Sequence, residues 1–169
     1  MSRSSSHFWR NFVKLLLPLE VTGRLVDALT KASPREIGGI LMAEHIANND
    51  FRVRDVTIQR RGGSFATFIR AVQSVLGPLR EFFRVTNYNY TRFNYIGEWH
   101  SHPSFAPVPS STDHNTMHSI IENPEVGAFF VVLVIVKLNA ARELEGSVTV
   151  YQPGGRRFRG ELVMEEEKI

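Results

Sequence analysis

Residues 99–113 read Trp-His-Ser-His-Pro-Ser-Phe-Ala-Pro-Val-Pro-Ser-Ser-Thr-Asp, and this stretch decides how the rest of the chain is interpreted. It places His100 and His102 one residue apart, and Asp113 eleven residues beyond the second histidine. Residues i and i+2 of an extended strand point to the same side, so both imidazoles can face one metal ion. We therefore expect a strand that ends at the histidines, a proline-rich loop after it, and a third ligand from a different element.

Outward from this stretch, the hydrophobic pattern predicts alternating strands and helices. Apolar residues at helical spacing predict helices over residues 20–32 and 68–85, and a third helix that starts at Thr112-Asp113 and stops before Pro124. Short apolar or alternating runs predict strands over residues 36–43, 51–58, 94–100, 128–136, 145–151 and 158–164.

Five of these strands have a predicted place in a sheet. Residues 36–43 and 51–58 are expected to form a hairpin, and residues 128–136, the most hydrophobic run, to form a central strand buried on both sides. Residues 145–151 are expected to pair with that strand antiparallel, and residues 158–164 to add an edge strand. Residues 12–17 are read as a first strand, although Phe8, Phe12, Leu15 and Leu16 would also suit an amphipathic helix.

Composition limits the chain to a few classes of protein. With 169 residues and 43% hydrophobic content, one domain with a real core is expected over residues 12–169, after a flexible segment of residues 1–11. The chain has no cysteine, so a metal must be held by histidine and carboxylate. The longest apolar stretch, Val126 to Leu138, is shorter than a membrane span, and we expect a cytoplasmic protein without a membrane partner.

The basic residues do not form a nucleic-acid surface. The formal charge is +3, but the arginines are spread along the chain without interleaved aromatic residues. Nucleic-acid binding is therefore not expected as the main role.

The residue types of the motif favour a hydrolytic metal site. Two imidazoles and one carboxylate holding zinc, with water in the fourth position, are typical of catalytic rather than structural zinc sites. Such chemistry also needs a carboxylate that is not a metal ligand, to move the proton of the water. The residue pattern alone does not select it from seventeen acidic residues. His114 and His118 form a competing i, i+4 pair, but they lack the glutamate of a helical zinc-protease motif and are read as helix-surface residues.

A resemblance to a known family supplies the missing residue. The pattern Glu36-Ile-Gly-Gly-Ile-Leu, then His100-Ser-His102, seven residues that begin with Pro103, Ser110, two residues and Asp113 resembles the JAMM motif of the MPN domain metalloproteases. These enzymes are zinc isopeptidases that remove ubiquitin and its relatives from lysine side chains. The resemblance extends over about residues 12 to 152 in the order of elements. It implies an α/β chain with a three-layer, cytidine-deaminase-like MPN fold, in which a mixed, mostly antiparallel sheet is flanked by helices.

The resemblance also implies a role for each motif position. His100, His102 and Asp113 would bind one catalytic Zn²⁺, and Glu36 would be the general acid and base. Ser110, rather than the adjacent Ser111, would donate a hydrogen bond to the tetrahedral intermediate, because it occupies the motif position. Phe105 is expected to line the groove for the extended tail of a substrate, since an aromatic residue in that loop has little core to enter.

Within the family, the chain is most similar to the stand-alone JAMM peptidases of bacterial operons. Those operons encode E1-like and E2-like proteins, and some are antiphage systems in which a ubiquitin-like protein or a nucleotidyltransferase is conjugated. The implied partner is therefore a ubiquitin-like modifier or its conjugates, and the oligomeric state is left open. Two alternatives remain: a catalytically silent MPN scaffold that binds partners, and a processing peptidase for a sulfur-carrier ubiquitin-like protein.

Overall fold

The computed structural model describes residues 12–59 and 72–167, and three helices and eight strands alternate along them. The predicted flexible segment, residues 1–11, and the first four residues of the predicted helix 68–85 lie outside this part of the chain. The helices are α1 (Leu19–Ala32), α2 (Val72–Val85) and α3 (Ser111–Glu122). The strands are β1 (Lys14–Leu17), β2 (Gly38–Ala47), β3 (Asp50–Val56), β4 (Phe93–Ser101), β5 (Val131–Leu138), β6 (Leu144–Gln152), β7 (Arg156–Arg159) and β8 (Glu161–Met164).

The strands form one mixed sheet in the order β7-β6-β5-β4-β2-β3-β1-β8. Four of the described pairings are antiparallel, namely β2–β3, β2–β4, β5–β6 and β6–β7. Three are parallel, namely β1–β3, β1–β8 and β4–β5. The predicted hairpin of β2 with β3 and the antiparallel pairing of β6 with β5 are thereby confirmed, as is a mixed, mostly antiparallel sheet.

Helices cover both faces of the sheet, which confirms the three-layer α/β architecture. Apolar residues of α1 pack in one cluster with Val132, Val134 and Val136 of β5. The alternate residues Leu133 and Ile135 pack on the opposite face, against α3. Because successive side chains of a strand point to opposite faces, a strand covered on both sides becomes apolar throughout. This explains why residues 131–136 are all buried, as predicted for the central run.

The first and last described strands pair at one edge of the sheet. Residues 14–17 form a strand rather than part of a helix, and the side chains of Leu15 and Leu17 are fully buried. This strand lies between β3 and β8 and runs parallel to both.

The prediction of a single edge strand over residues 158–164 is wrong. The segment is divided at Gly160 into β7, which pairs with β6, and β8, which pairs with β1 at the other end of the sheet order. At the division, Gly160 N donates to Val148 O at 2.9 Å and Glu161 N donates to Val13 O at 2.9 Å. A Cβ on Gly160 would lie 2.9 Å from Val13 O, so glycine permits the chain to pass between the two edges.

Smaller differences concern the ends of elements. The first hairpin strand begins at Gly38 rather than at residue 36, and β5 begins at Val131 rather than at residue 128. Within the described residues, no helix is long and apolar enough to cross a membrane.

The close approach of β4 to β5 gives a stability prediction. Gly97 has φ +154°, and a Cβ there would lie 2.0 Å from Val132 O. We expect Gly97→Ala to lower the free energy of unfolding by about 2 to 4 kcal/mol, measured by urea denaturation. Gly23→Ala is the matched control, because Gly23 lies inside α1 with open space at its Cβ position. This control should raise the free energy of unfolding by about 0.5 to 1 kcal/mol. Equal effects of the two substitutions would contradict the tight β4–β5 approach.

Candidate metal centre

Strand β4 carries the first two predicted ligands to one end of the sheet. His100 pairs with Gly38 of β2 on one side and with Ile135 of β5 on the other. The ladder continues past the end of β4, because His102 N donates to Val136 O at 3.0 Å. The chain is thus still extended at His102, and both imidazoles lie on the same side, as the spacing predicted.

Gly38 makes room for the first histidine. A Cβ on Gly38 would lie 2.6 Å from Trp99 O and 3.0 Å from the Cβ of His100. Residue 38 of β2 therefore has to be glycine, because a side chain there would collide with Trp99 O and with His100.

The third predicted ligand comes from the start of α3. His100, His102 and Asp113 each offer one ligand atom, these atoms lie within 4.8 Å of one another, and all three residues are buried. The two Nε2 atoms are 3.0 Å apart, and Asp113 Oδ1 lies 3.5 Å from His100 Nε2. Asp113 Oδ2 lies 3.9 Å from His102 Nε2. Ligand atoms around a tetrahedral zinc are separated by about 3.3 Å, since Zn–N bonds measure about 2.0 to 2.1 Å. The three side chains therefore fit a tetrahedral ion, and within the described residues they fill three of its four positions.

A backbone carbonyl orients His102. Its Nδ1 lies 3.1 Å from Ala106 O, and since a carbonyl can only accept, Nδ1 carries the proton. In neutral imidazole the other nitrogen then has a free lone pair, so Nε2 is the metal-binding atom. Sequence reasoning missed this contact, because a backbone acceptor leaves no signature in residue types.

Burial keeps the other histidine neutral. Desolvation lowers the pKa of His100 to about 4, against an opposing effect of the nearby Asp113 carboxylate and a further lowering by His102. A neutral imidazole is the form that binds metal, so His100 needs to lose no proton at neutral pH.

Ser110 holds Asp113 in place as the N-cap of α3. Ser110 N and Ser110 Oγ both donate to Asp113 Oδ2 at 2.7 Å, and Asp113 N donates back to Ser110 Oγ at 3.2 Å. This capping box satisfies free donors at the start of the helix and leaves Asp113 Oδ1 facing His100. Ser111 is exposed in the first turn of the helix.

Glu36 lies beside the end of β4. Ser101 N donates to Ile37 O at 2.8 Å, and Ile37 N donates to Ser101 Oγ at 3.0 Å. These two hydrogen bonds hold Ile37 opposite Ser101. In the antiparallel register of β2 with β4, Glu36 then lies opposite His102. Its side chain is exposed.

The loop between His102 and Ser110 carries the predicted groove residue. Phe105 is 67% exposed, and its ring centroid lies 6.5 Å from that of His102 with the ring planes nearly perpendicular. Val108 in the same loop is also exposed. The loop thus presents apolar side chains next to the three predicted ligands.

The competing histidine pair, His114 and His118, contacts Tyr151 of β6. His114 Nδ1 lies 2.8 Å from the hydroxyl of Tyr151, and the ring of His118 packs edge-on against the same tyrosine at 5.2 Å. Both histidines are partly buried against β6, so their interpretation as surface residues was incomplete.

Sequence reasoning also missed a buried acid on β4. Glu98 lies two residues before His100 on the same face of the strand, is 3% exposed, and has Tyr95 as its hydroxyl donor at 3.4 Å. Burial raises its pKa to about 8. A signal was present, since a glutamate between two buried strand positions is unusual.

Comparison with known proteins gives a family and relatives. Residues 18–148 match the family Prok-JAB, described as prokaryotic homologs of the JAB domain. A protein of Enterobacter hormaechei subsp. hoffmannii named CD-NTase/cGAS isopeptidase is 28% identical over 139 residues, which are 80% of this chain and 74% of the relative.

Two solved structures share the fold. A solution structure of a Desulfitobacterium hafniense protein aligns with a TM-score of 0.59 at 16% identity, covering 90% of this chain and 94% of the other. A solution structure of a Salinibacter ruber protein aligns with a TM-score of 0.50 at 18% identity, covering 89% and 91%.

The capping box distinguishes two adjacent serines. We expect Ser110→Ala to lower the free energy of unfolding by about 1 kcal/mol, because the N-cap hydroxyl is lost. Ser111→Ala, the matched control, should change it by less than about 0.5 kcal/mol. Urea denaturation of the metal-free protein measures both, and equal costs would contradict the cap assignment.

The three-ligand cluster predicts stabilisation by a divalent ion. Titration with ZnCl₂ should raise the thermal stability of the wild type, by about 2.7 kcal/mol when free zinc is a hundred times the dissociation constant. Asp113→Asn should lose most of this increment, because a charged ligand is removed. His45→Gln, at the far end of β2, should keep it. The zinc-induced increment is compared within each variant, so any cost of the substitution to folding cancels.

Proposed function

The chain belongs to the prokaryotic homologs of the JAB domain, and from this membership we propose that it is a zinc-dependent isopeptidase. Its reaction is hydrolysis of the amide bond after the C-terminus of a ubiquitin-like modifier or another conjugated protein, released from a target lysine or a precursor extension. The observation that carries the proposal is the convergence of His100, His102 and Asp113 with one coordination position open. A structural zinc site would fill all four positions with protein ligands.

The bound ion and Glu36 have separate tasks in this proposal. Zinc, when bound, polarises the substrate carbonyl and lowers the pKa of water toward about 7. Glu36 takes a proton from the attacking water and delivers it to the nitrogen of the leaving amine as the carbon–nitrogen bond breaks. Its position next to the end of β4, and its exposure to solvent, support this role.

Ser110 is proposed to donate a hydrogen bond to the oxyanion of the tetrahedral intermediate. Its hydroxyl is directed at Asp113 Oδ2, so donation to substrate requires the hydroxyl to turn toward the carbonyl oxygen. Asp113 keeps its bond from Ser110 N during that rotation, and the ligand stays in place. The same residue can therefore hold a metal ligand and serve the oxyanion.

The substrate class rests on the loop and on the Enterobacter relative. That relative is named for isopeptidase action in a CD-NTase/cGAS context, and we propose a comparable conjugate here, together with E1-like and E2-like partners. The exposed Phe105 is proposed to contact the extended C-terminal tail of the conjugated protein. An extended tail reaches the open metal position without steric conflict from a folded domain.

Glu36→Gln tests the proposal. The assay follows cleavage of a CD-NTase protein joined through its C-terminus to a lysine of a reporter protein. We expect the substitution to lower kcat by about 10² to 10⁴, because it removes the group that moves the proton. Zinc content, measured by elemental analysis, should be unchanged, since Glu36 is not a ligand.

Glu125→Gln is the matched control, because Glu125 is an exposed glutamate in the turn after α3. It should cleave at the wild-type rate. Wild-type protein that binds zinc but cleaves neither this conjugate nor a ubiquitin-like fusion would favour the silent scaffold. Equal rates for wild type and Glu36→Gln would exclude the proposed role of Glu36.

A further inference from the structure

We propose that Ser147 is a positioning residue, which clamps the loop of residues 103–109 against the sheet and thereby fixes the ring nitrogen that His102 presents to the metal. The proposal deepens the proposed function, on which it rests for its catalytic consequence. It concerns a residue of β6 that lies far along the chain from the motif and outside the three predicted ligands.

Two successive carbonyls of the loop are held from two different elements. Ala106 O accepts from Nδ1 of His102 at 3.1 Å. Pro107 O, the next carbonyl, accepts a hydrogen bond from the hydroxyl of Ser147. The planar peptide fixes Ala106 O relative to Cα of Pro107, and the proline ring fixes φ, so only ψ of Pro107 separates the two carbonyls. Fixing one carbonyl therefore restricts the position of the other.

The donor that holds Pro107 is itself fixed by the sheet. Ser147 is 7% exposed and pairs with Ile135 of β5, and Ile135 pairs with His100 on its other side. The Ser147 hydroxyl therefore projects from the same rigid sheet that carries the first ligand. Its hydrogen bond to Pro107 O joins the loop to β6 beside the strand position of His100.

The other described backbone hydrogen bonds of the loop are local. Phe105 N donates to His102 O at 3.4 Å, and Val108 N donates to Ala106 O at 2.8 Å. Both bonds join residues within the loop or at its start, so they do not fix it to the sheet. Most residues of the loop are exposed, and burial contributes little to holding it. The Ser147 hydroxyl is the described side-chain bond that joins the middle of this loop to a strand.

The clamp acts on the metal site through the tautomer of His102. With Ala106 O held in place, the neutral ring carries its proton on Nδ1 and directs the lone pair of Nε2 toward the metal position. If the loop moves away, the form protonated on Nδ1 loses its carbonyl acceptor, and the ring keeps only the contact of its Nε2 with Nε2 of His100 at 3.0 Å. Partners of this kind change metal affinity by about 10 to 100-fold when they are removed.

The test uses a pair of variants that differ in one group. Ser147→Thr keeps the hydroxyl, and Ser147→Val replaces it with a methyl group of similar size, so the cost of added volume is common to both. Thr149→Val removes a hydroxyl from the same face of β6, two residues away, and is the control. Ser147→Ala serves in place of Ser147→Val if that variant does not fold.

The first readout needs neither metal nor substrate. Long-range ¹⁵N–¹H NMR on metal-free protein, at a pH where ordinary imidazoles are neutral, reports which nitrogen of His102 is protonated. We expect a single tautomer with the proton on Nδ1 in the wild type, Ser147→Thr and Thr149→Val. Ser147→Val should give averaged shifts for the two nitrogens, and its zinc dissociation constant should rise about 10 to 100-fold. Unchanged His102 shifts and a zinc dissociation constant within twofold of wild type would overturn the proposal.

The outcomes separate the clamp from the enzymatic proposal. If the wild type cleaves no conjugate, but Ser147→Val loses the single His102 tautomer, the clamp is supported and the proposed function is contradicted. If the wild type cleaves conjugates, but Ser147→Val retains the wild-type tautomer and zinc affinity, the proposed function is supported and the clamp is contradicted.

Discussion

The register of β4 between β2 and β5 is the constraint on which the metal centre depends. In this register His100 lies on the face of the sheet covered by α3, and Trp99 lies in the apolar cluster around α1. A slip of one residue would exchange the two faces, placing an imidazole in the apolar core and an indole at the ligand position. Gly38 and Gly97 hold the register because their neighbouring strands leave no room for a Cβ. The position of the two histidines is therefore set by backbone contacts rather than by the imidazoles themselves.

Much of the fold could be predicted from local pattern, and the exceptions have a common cause. The central run and the first hairpin followed from hydrophobic periodicity, because burial on one or both faces leaves a direct mark on the sequence. The division at Gly160 left no such mark. Residues 158–164 contain one glycine between charged residues, and an isolated glycine in a strand pattern does not show whether the strand bends or changes from one edge of the sheet to the other. Pairing partners far along the chain are not encoded in a short window of residues.

In the candidate site, too, some residues could be predicted from local pattern and others could not. The spacing of His100 and His102 within a strand predicted that both imidazoles would share a side, and the structure brings Asp113 to them. Glu36 and Ser110 depended on the resemblance to a family, and their catalytic roles remain predictions. Ser147 could not have been found from either source, since its contact is made to a backbone carbonyl forty residues away in sequence. Roles that act through main-chain atoms become visible only when the chain is folded.

The split at Gly160 has a consequence for how the protein is made. Strand β1, the first described strand, pairs on one side with β8, whose residues are synthesised after those of the other described strands. Until those residues leave the ribosome, β1 is the outer strand of the sheet, with a row of unpaired backbone groups able to join another chain. Pairing of residue 14 with residue 161 is also among the longest-range contacts that the sequence allows, and such contacts form slowly. Intermolecular strand pairing at β1 is thus possible until β8 has paired with it.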